Sequence, residues 1–134
     1  MTSRSGGCLC GAVRYELTAE PAVQAVCHCK NCQKQAGTAF SMIIGVPESA
    51  MSVTGTPTIY IDHGESGNEV RREFCGKCGS PLFSRVATAS GMVFVKAGTL
   101  DDTTGFKPAV QVWAKSRQDW FDLGSIPAFE ANPG

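Results

Sequence analysis

The chain has 134 residues, an apolar content of 43% and twelve basic side chains against twelve acidic ones. This length fits one domain, residues 1–134, with a single buried core. The balanced charge provides no overall field to attract nucleic acid or an anionic membrane. Because no apolar run could span a bilayer and residues 1–7 lack the apolar segment of a secretory signal, we expect a cytoplasmic protein that binds neither nucleic acid nor membrane.

The first half of the chain is patterned mainly for strands. Residues 11–18 alternate apolar and polar side chains with the period of a half-buried strand, and residues 23–26 predict a second strand. Residues 30–35 are polar and fit one helical turn closed by Gly37. The apolar run at residues 39–46 predicts a buried strand that glycine and proline bring to an end.

The second half continues the same pattern. Strands are predicted at residues 51–54, 58–62, 69–74, 81–85, 92–97 and 109–114. A polar turn at residues 63–68 joins two of them as a hairpin. We place the core of the domain between about residues 4 and 125, followed by a tail at residues 126–134 that wraps the surface or hangs loose. The sequence therefore predicts a mainly β fold.

All seven cysteines fall into three short clusters. These are a C-x-C pair, a group of three within six residues and a C-x-x-C pair: Cys8 and Cys10; Cys27, Cys29 and Cys32; Cys75 and Cys78. A closed structural zinc site takes four Cys or His ligands, whereas a catalytic zinc keeps three protein ligands and leaves one position for water or substrate. Seven thiols divide naturally into four plus three.

The two spacings would hold a metal ion in different ways. In an extended segment alternate side chains share a face, so both cysteines of a C-x-C pair point one way and the residue between them points away. We therefore expect Leu9 and His28 to point away from the metal. A C-x-x-C pair needs a curled chain instead, and Gly76 makes this easier between Cys75 and Cys78.

Disulfides, a redox dithiol and a different metal partition are the competing interpretations. Disulfides need an oxidising compartment, and an odd number of cysteines leaves one thiol unpaired. A thioredoxin-like dithiol stands beside a βαβ unit, but no helical periodicity occurs near either C-x-x-C pair. Spacing alone also permits a zinc ribbon that joins Cys29 and Cys32 to Cys75 and Cys78.

The order of the clusters, C-x-C, then C-H-C-x-x-C, then C-x-x-C-G, resembles the family of glutathione-dependent formaldehyde-activating enzymes, also called the Gfa-like or centromere-protein-V family. The similarity begins at residues 7–15, continues through residues 27–34 and 74–82, and closes on residues 115–120. The resemblance implies an Mss4-like fold, a complex arrangement of several small antiparallel sheets around two zinc sites.

The resemblance also implies different roles for the two zinc ions. Four thiols would hold a structural zinc: Cys8, Cys10, Cys75 and Cys78. Three would hold a second zinc that is open at its fourth position and would form the catalytic site: Cys27, Cys29 and Cys32.

The open site indicates sulfur chemistry. Three thiolates make a zinc ion a weak Lewis acid toward water, but such a site accepts a further thiolate. We therefore expect a carbon–sulfur lyase that adds a small thiol such as glutathione to a small aldehyde such as formaldehyde, or removes it. The alternative is a non-catalytic zinc module, or a thiolate sink for electrophiles or metals.

Several other side chains are weaker candidates for the site. His28 is expected in a supporting or core position, and His63 in a solvated turn. Four aromatic side chains are expected mainly in the core rather than in a pocket: Phe40, Trp113, Trp120 and Phe121. Three cations are expected at the surface, although they could attract an acidic substrate: Lys30, Lys34 and Arg117. The sequence identifies no proton donor for the reaction.

Overall fold

The computed structural model of the protein describes residues 3–132. Within this range ten strands and one α-helix follow one another in the order β1 (Arg4–Gly7), β2 (Arg14–Leu17), β3 (Val23–Cys27), α1 (Lys30–Ala36), β4 (Ser41–Pro47), β5 (Met51–Thr54), β6 (Thr58–His63), β7 (Glu69–Phe74), β8 (Pro81–Val86), β9 (Met92–Lys96) and β10 (Val110–Val112). Short 3-10 turns cover residues 48–50, 87–89, 97–99 and 114–116. None of the helices in this range is long and apolar enough to cross a membrane.

The strands form two sheets. A three-stranded sheet has the order β1-β2-β5, and a seven-stranded sheet has the order β10-β3-β4-β9-β8-β7-β6. All neighbouring strands run antiparallel except β10 and β3, which are parallel. The prediction of a mainly β fold built from antiparallel sheets is confirmed.

The apolar core joins the two sheets. Alternate residues of β2, Tyr15 and Leu17, are buried against the larger sheet, as the strand periodicity predicts. Tyr15 meets Phe83 of β8 edge to face, with ring centroids 5.3 Å apart. Ile44 and Val95 are also fully buried in this core. Each such side chain contributes about 1.5–3 kcal/mol through removal from water.

The opposite face of the larger sheet, the polar face, carries several polar and charged side chains. Cys27 stands directly across from Ser41, and Ile43 across from Lys96. Because side chains two residues apart on a strand share a face, Cys27, Ser41 and Lys96 project from the same side of the sheet. The cross-strand register from β9 through β8 to β7 places the Arg72 side chain on this side of the sheet as well. The polar face is where the second cysteine cluster lies.

Most predicted elements occur with small changes at their ends, but β1 was missed. Its sequence, Arg-Ser-Gly-Gly, contains no apolar alternation and therefore gives no strand signal. The structure nevertheless requires glycine there, since a Cβ at Gly6 would lie 2.3 Å from the Tyr15 hydroxyl. The tail wraps the surface as far as residue 132: Ala128 forms a parallel bridge with Gln111. The last two residues of the predicted tail lie outside the described range.

The turn after β5 provides a test of this packing. Gly55 and Gly67 both adopt a positive φ, 92° and 84°, but a Cβ at Gly55 would lie 2.2 Å from the backbone oxygen of Ala12, whereas nothing lies within 4 Å at Gly67. We expect Gly67→Ala to cost about 1–2 kcal/mol because of its backbone conformation alone. Gly55→Ala should cost about 1–3 kcal/mol more because of the overlap. The free energy of unfolding in urea measures both, and equal losses would contradict the described packing.

Candidate metal centres and active site

The first cysteine cluster joins the two sheets. The sulfur atoms of its four members lie within 4.8 Å of one another: Cys8, Cys10, Cys75 and Cys78. The C-x-C pair lies in the connection from β1 to β2, and the C-x-x-C pair in the connection from β7 to β8. The fold therefore brings together thiols that are far apart in the chain, in a group that could hold a metal ion.

The prediction of an extended backbone at the C-x-C pair is wrong. Residues 8–11 form a turn in which the Gly11 N–H donates to the Cys8 carbonyl oxygen at 3.2 Å. The chain must reverse here because β1 and β2 pair antiparallel and Gly7 stands across from Arg14. The turn still places the Cys8 and Cys10 sulfurs 3.7 Å apart. Leu9 points away as expected and is 88% exposed.

Backbone and hydroxyl donors favour the thiolate form in the C-x-x-C turn. The N–H groups of Lys77 and Cys78 donate to the Cys75 sulfur, each at 3.4 Å. The Ser80 hydroxyl lies 3.2 Å from the Cys78 sulfur and lowers the pKa of that thiol to about 5. Since the thiolate is the form of cysteine that binds metal, this turn is prepared for an ion.

The second cluster lies where β3 leads into α1. Cys27 ends the strand, Cys29 caps the helix and Cys32 lies in its first turn, and their sulfurs are within 4.8 Å of one another. The Cys32 N–H donates to the Cys29 sulfur at 3.2 Å. Hydrogen bonds from the Cys27 and Cys29 thiols lower the pKa of Cys32 to about 2, whereas the contacts of Cys27 with Cys29 and Cys32 raise the pKa of Cys27. Negative charge in this cluster therefore concentrates on Cys32.

The two clusters decide between the partitions that spacing left open. Cys29 and Cys32 lie with Cys27, while Cys75 and Cys78 lie with the C-x-C pair. This is the division into four plus three thiols. The zinc-ribbon alternative is wrong because its two C-x-x-C pairs belong to different clusters.

An ion pair next to the second cluster was missed by sequence reasoning. Arg72 of β7 is only 5% exposed, and its two terminal nitrogens lie 3.9 and 4.0 Å from the Cys32 sulfur. Its Nε donates to Asp62 Oδ2 at 2.9 Å. Asn31 of α1 donates its amide to both Asp62 oxygens, at 3.1 and 3.0 Å. This closed chain of contacts fixes the β6-β7 hairpin to the helix that carries Cys32.

A second buried cation lies on the same face. Lys96, the last residue of β9, is 6% exposed and donates from Nζ to the Ser41 hydroxyl at 2.6 Å. Burial lowers the pKa of Lys96, and the negative charge on Cys32 opposes that shift. A buried lysine is uncommon. No sequence signal indicates the burial of Lys96, because it lies on the face of β9 opposite the core residues Val93 and Val95.

The orientation predicted for His28 is confirmed. The imidazole is fully buried, and its Nε2 lies 2.9 Å from Gln111 Oε1. The ring meets Phe40 edge to face at 5.6 Å. Gln33 donates to the His28 carbonyl oxygen at 2.7 Å and to that of Ser116 at 2.9 Å. His28 therefore packs on the side of the turn away from the cluster and supports that turn.

Three of the four aromatic candidates pack edge to face in a row outside the core. Phe121 lies between Phe40 and Trp120, with centroid distances of 5.0 and 5.2 Å. The expectation of a core position is wrong for Trp120, which is 71% exposed. It lies in an irregular segment after β10, where no strand covers it. Trp113 is half-buried and donates from its indole to Asn132.

The remaining candidates lie at the surface. His63 is exposed at the end of β6, across from Glu69. Arg117 donates to the Phe121 carbonyl oxygen at 3.2 Å. Lys30 and Lys34 are exposed on α1 and line a groove of about 460 Å³. The other residues lining the groove are small or amide-bearing: Gln33, Gly37, Thr38, Ala39 and Gln118.

Comparison with known proteins finds one family. A profile of the family described as "Glutathione-dependent formaldehyde-activating enzyme" matches residues 3–116. A protein of Podospora anserina is 29% identical over 116 residues, covering 81% of this chain and 53% of its own length. One of Talaromyces marneffei is 30% identical over 105 residues, covering 75% and 55%. Both are named "Putative glutathione-dependent formaldehyde-activating enzyme", and this chain spans about half the length of each.

A solved structure supports the fold. The crystal structure of a Rhodobacter sphaeroides protein is similar to this chain with a TM-score of 0.61 and 21% sequence identity. The similarity covers 93% of this chain and 99% of that one. At this identity the likeness concerns the fold alone.

The Arg72 contact generates a prediction about metal affinity. We expect Arg72→Met to weaken zinc binding at the second cluster by about 10–100-fold, because the guanidinium no longer stabilises the Cys32 thiolate. Competition with a chromogenic chelator measures this affinity. Arg71→Met is the matched control, since Arg71 is the exposed neighbour on the same strand. The double variant Arg72→Met/Asp62→Asn removes the carboxylate that would otherwise be left unpaired. Unchanged affinity in both Arg72 variants would contradict the role of this contact.

Proposed function

Because the chain belongs to the family of glutathione-dependent formaldehyde-activating enzymes, we propose that it is a zinc-dependent carbon–sulfur lyase. It joins a small thiol to a small aldehyde and reverses that step, with glutathione-like thiols and formaldehyde as the substrates. The single observation that carries the proposal is the pairing of one four-thiol cluster with one three-thiol cluster. We place the enzyme in the cytoplasm, where thiols remain reduced.

The donor sets of both clusters fit zinc. Four thiols within 4.8 Å of one another match a closed tetrahedral site, so the first cluster holds a structural zinc in this proposal. Cys27, Cys29 and Cys32 hold the second zinc and leave one ligand position open. The lowered pKa values of Cys78 and Cys32 support this assignment, since thiolates bind metal at neutral pH. Two zinc ions per chain are expected.

The open cluster is suited to a thiol substrate. When bound, the second zinc supplies a position at which a substrate thiol is held and ionised. Arg72 and Lys96 are buried on the same side and reduce the cost of gathering several sulfur anions in one place. Both cations are carried by strands of the larger sheet, Arg72 by β7 and Lys96 by β9.

The groove beside α1 supports a thiol that carries acidic groups. Lys30 and Lys34 place two cations along the helix that contains Cys32. The amides of Gln33 and Gln118 add hydrogen-bonding groups to the same lining. We propose that carboxylates of the thiol substrate lie in this groove while its sulfur lies at the cluster.

The reaction transfers one proton in addition to forming one bond. The thiol loses its proton, its sulfur attacks the aldehyde carbon to form the C–S bond, and the π electron pair of the carbonyl moves to oxygen. That oxygen then takes up a proton to give the hydroxyl of the adduct. In the reverse direction the hydroxyl loses its proton as the C–S bond breaks.

Exchange spectroscopy by NMR tests the proposed activity. We expect the zinc-loaded chain to accelerate exchange between formaldehyde and its adduct with at least one acidic thiol such as glutathione. Cys32→Ser should lose that acceleration and bind one zinc ion instead of two. Its strand content by circular dichroism is the control for folding. If no thiol shows acceleration with the two-zinc protein, the lyase proposal fails and a non-catalytic zinc module becomes the better description.

A further inference from the structure

We propose that Lys96 is the general acid that protonates the aldehyde oxygen as the C–S bond forms, and the base that removes this proton as the bond breaks. This inference rests on the proposed lyase function. The sequence identifies no residue for this step. The structure offers a buried lysine on the face of the sheet that carries the open cluster.

The strand register places Lys96 beside the cluster. Lys96 stands across from Ile43, and its side chain extends along β4 by one pleat to reach the Ser41 hydroxyl at 2.6 Å. Ser41 is the direct cross-strand neighbour of Cys27. Cβ atoms of such a pair are about 5 Å apart. The ammonium group therefore lies within one side-chain length of a cluster cysteine.

The charge of Lys96 is balanced only by the cluster. Burying an ammonium group is costly unless a counter-charge lies nearby. Among residues 3–132, Lys96 forms no ion pair with a carboxylate, and its hydrogen-bond partner is the neutral hydroxyl of Ser41. An ammonium has three N–H donors, so two remain for a substrate oxygen or a sulfur anion. The attraction to the sulfur anions of the cluster therefore favours the ammonium form beside the place where a substrate would react.

The other polar groups near the cluster are poorer donors. Arg72 does not release its proton at any ordinary pH. His28 faces away, and its Nε2 is engaged by Gln111. His63 is exposed at the end of β6. Burial moves the pKa of Lys96 downward, toward the range in which a general acid is most effective.

Lys96 moves the proton that the aldehyde oxygen needs. The thiol loses its proton to solvent as it binds, and Lys96 is the ammonium at this stage. The sulfur then forms the C–S bond, the carbonyl π pair moves to oxygen, and the ammonium gives its proton to that oxygen. The amine that remains takes up a proton from solvent in place of the one the thiol released, so thiol and aldehyde become the hydroxyalkyl thioether and the ammonium is restored.

Three variants test the assignment in the zinc-loaded protein. Lys96→Met removes the proton and keeps much of the side-chain volume. Lys96→Arg keeps the positive charge but does not release a proton. Lys107→Met is the matched control, because Lys107 is an exposed lysine in the loop before β10. We expect both Lys96 variants to slow adduct exchange by about 10²–10⁴-fold and the control to exchange at the parent rate.

Zinc content and chemical rescue separate proton transfer from a structural role. The Lys96 variants should still bind two zinc ions per chain. In Lys96→Gly, added ethylammonium should restore exchange in proportion to its concentration, whereas ethanol, which has the same number of heavy atoms, should not. Rescue by both compounds would indicate that only volume was lost, and would overturn the assignment.

The remaining outcomes are also decisive. Parent-like exchange in Lys96→Met would remove Lys96 from the reaction and leave the lyase proposal intact. Loss of the second zinc from Lys96→Met and Lys96→Arg would make Lys96 a structural partner of the cluster instead of a proton donor. Absence of exchange in the parent protein would refute the lyase proposal itself, and the role of Lys96 with it.

Discussion

The unequal division of seven thiols between two places is the constraint on which the rest of this structure depends. Four of them meet between the β1-β2 and β7-β8 connections, and three meet where β3 leads into α1. The first group contains ligands for every position of a tetrahedral metal ion, and the second lacks one. In the proposed function, this division separates a structural metal site from a site that accepts a substrate thiol.

The two faces of the seven-stranded sheet have different environments. One face packs against β2 through Tyr15 and Leu17 and forms the apolar core. The other carries Arg72 and Lys96, two cations that would be unfavourable in that core. Each has a reason to be buried: Arg72 is paired with Asp62 and lies against the Cys32 sulfur, and Lys96 lies beside the cluster on Ser41. The polar face is therefore an environment for sulfur anions, and the three-thiol cluster lies on it.

The sequence predicted the cysteine clusters but not the charged residues that lie beside them. Strand periodicity and cysteine spacing are local signals, so they indicated most strands, the turn capped by Gly37 and the seven thiols. The pairing of the C-x-C and C-x-x-C pairs came from the family resemblance, because spacing permitted the ribbon equally well. Arg72 and Lys96 could not be assigned to the site, since their proximity to Cys32 results from the order of strands in the sheet. The extended backbone expected at Cys8 was wrong because antiparallel pairing of its flanking strands requires a turn.

The central claim is that one metal ion is fully enclosed by cysteine sulfur and the other keeps a vacancy for a thiol. Zinc K-edge X-ray absorption of the zinc-loaded protein tests it most directly, because zinc–sulfur distances are about 2.3 Å and distinguish sulfur from lighter ligands. The account predicts two zinc ions with an average of about 3.5 sulfur neighbours, and an increase to about four when a thiol substrate is added. A single zinc ion with four sulfurs, or an average that a thiol does not change, would contradict it.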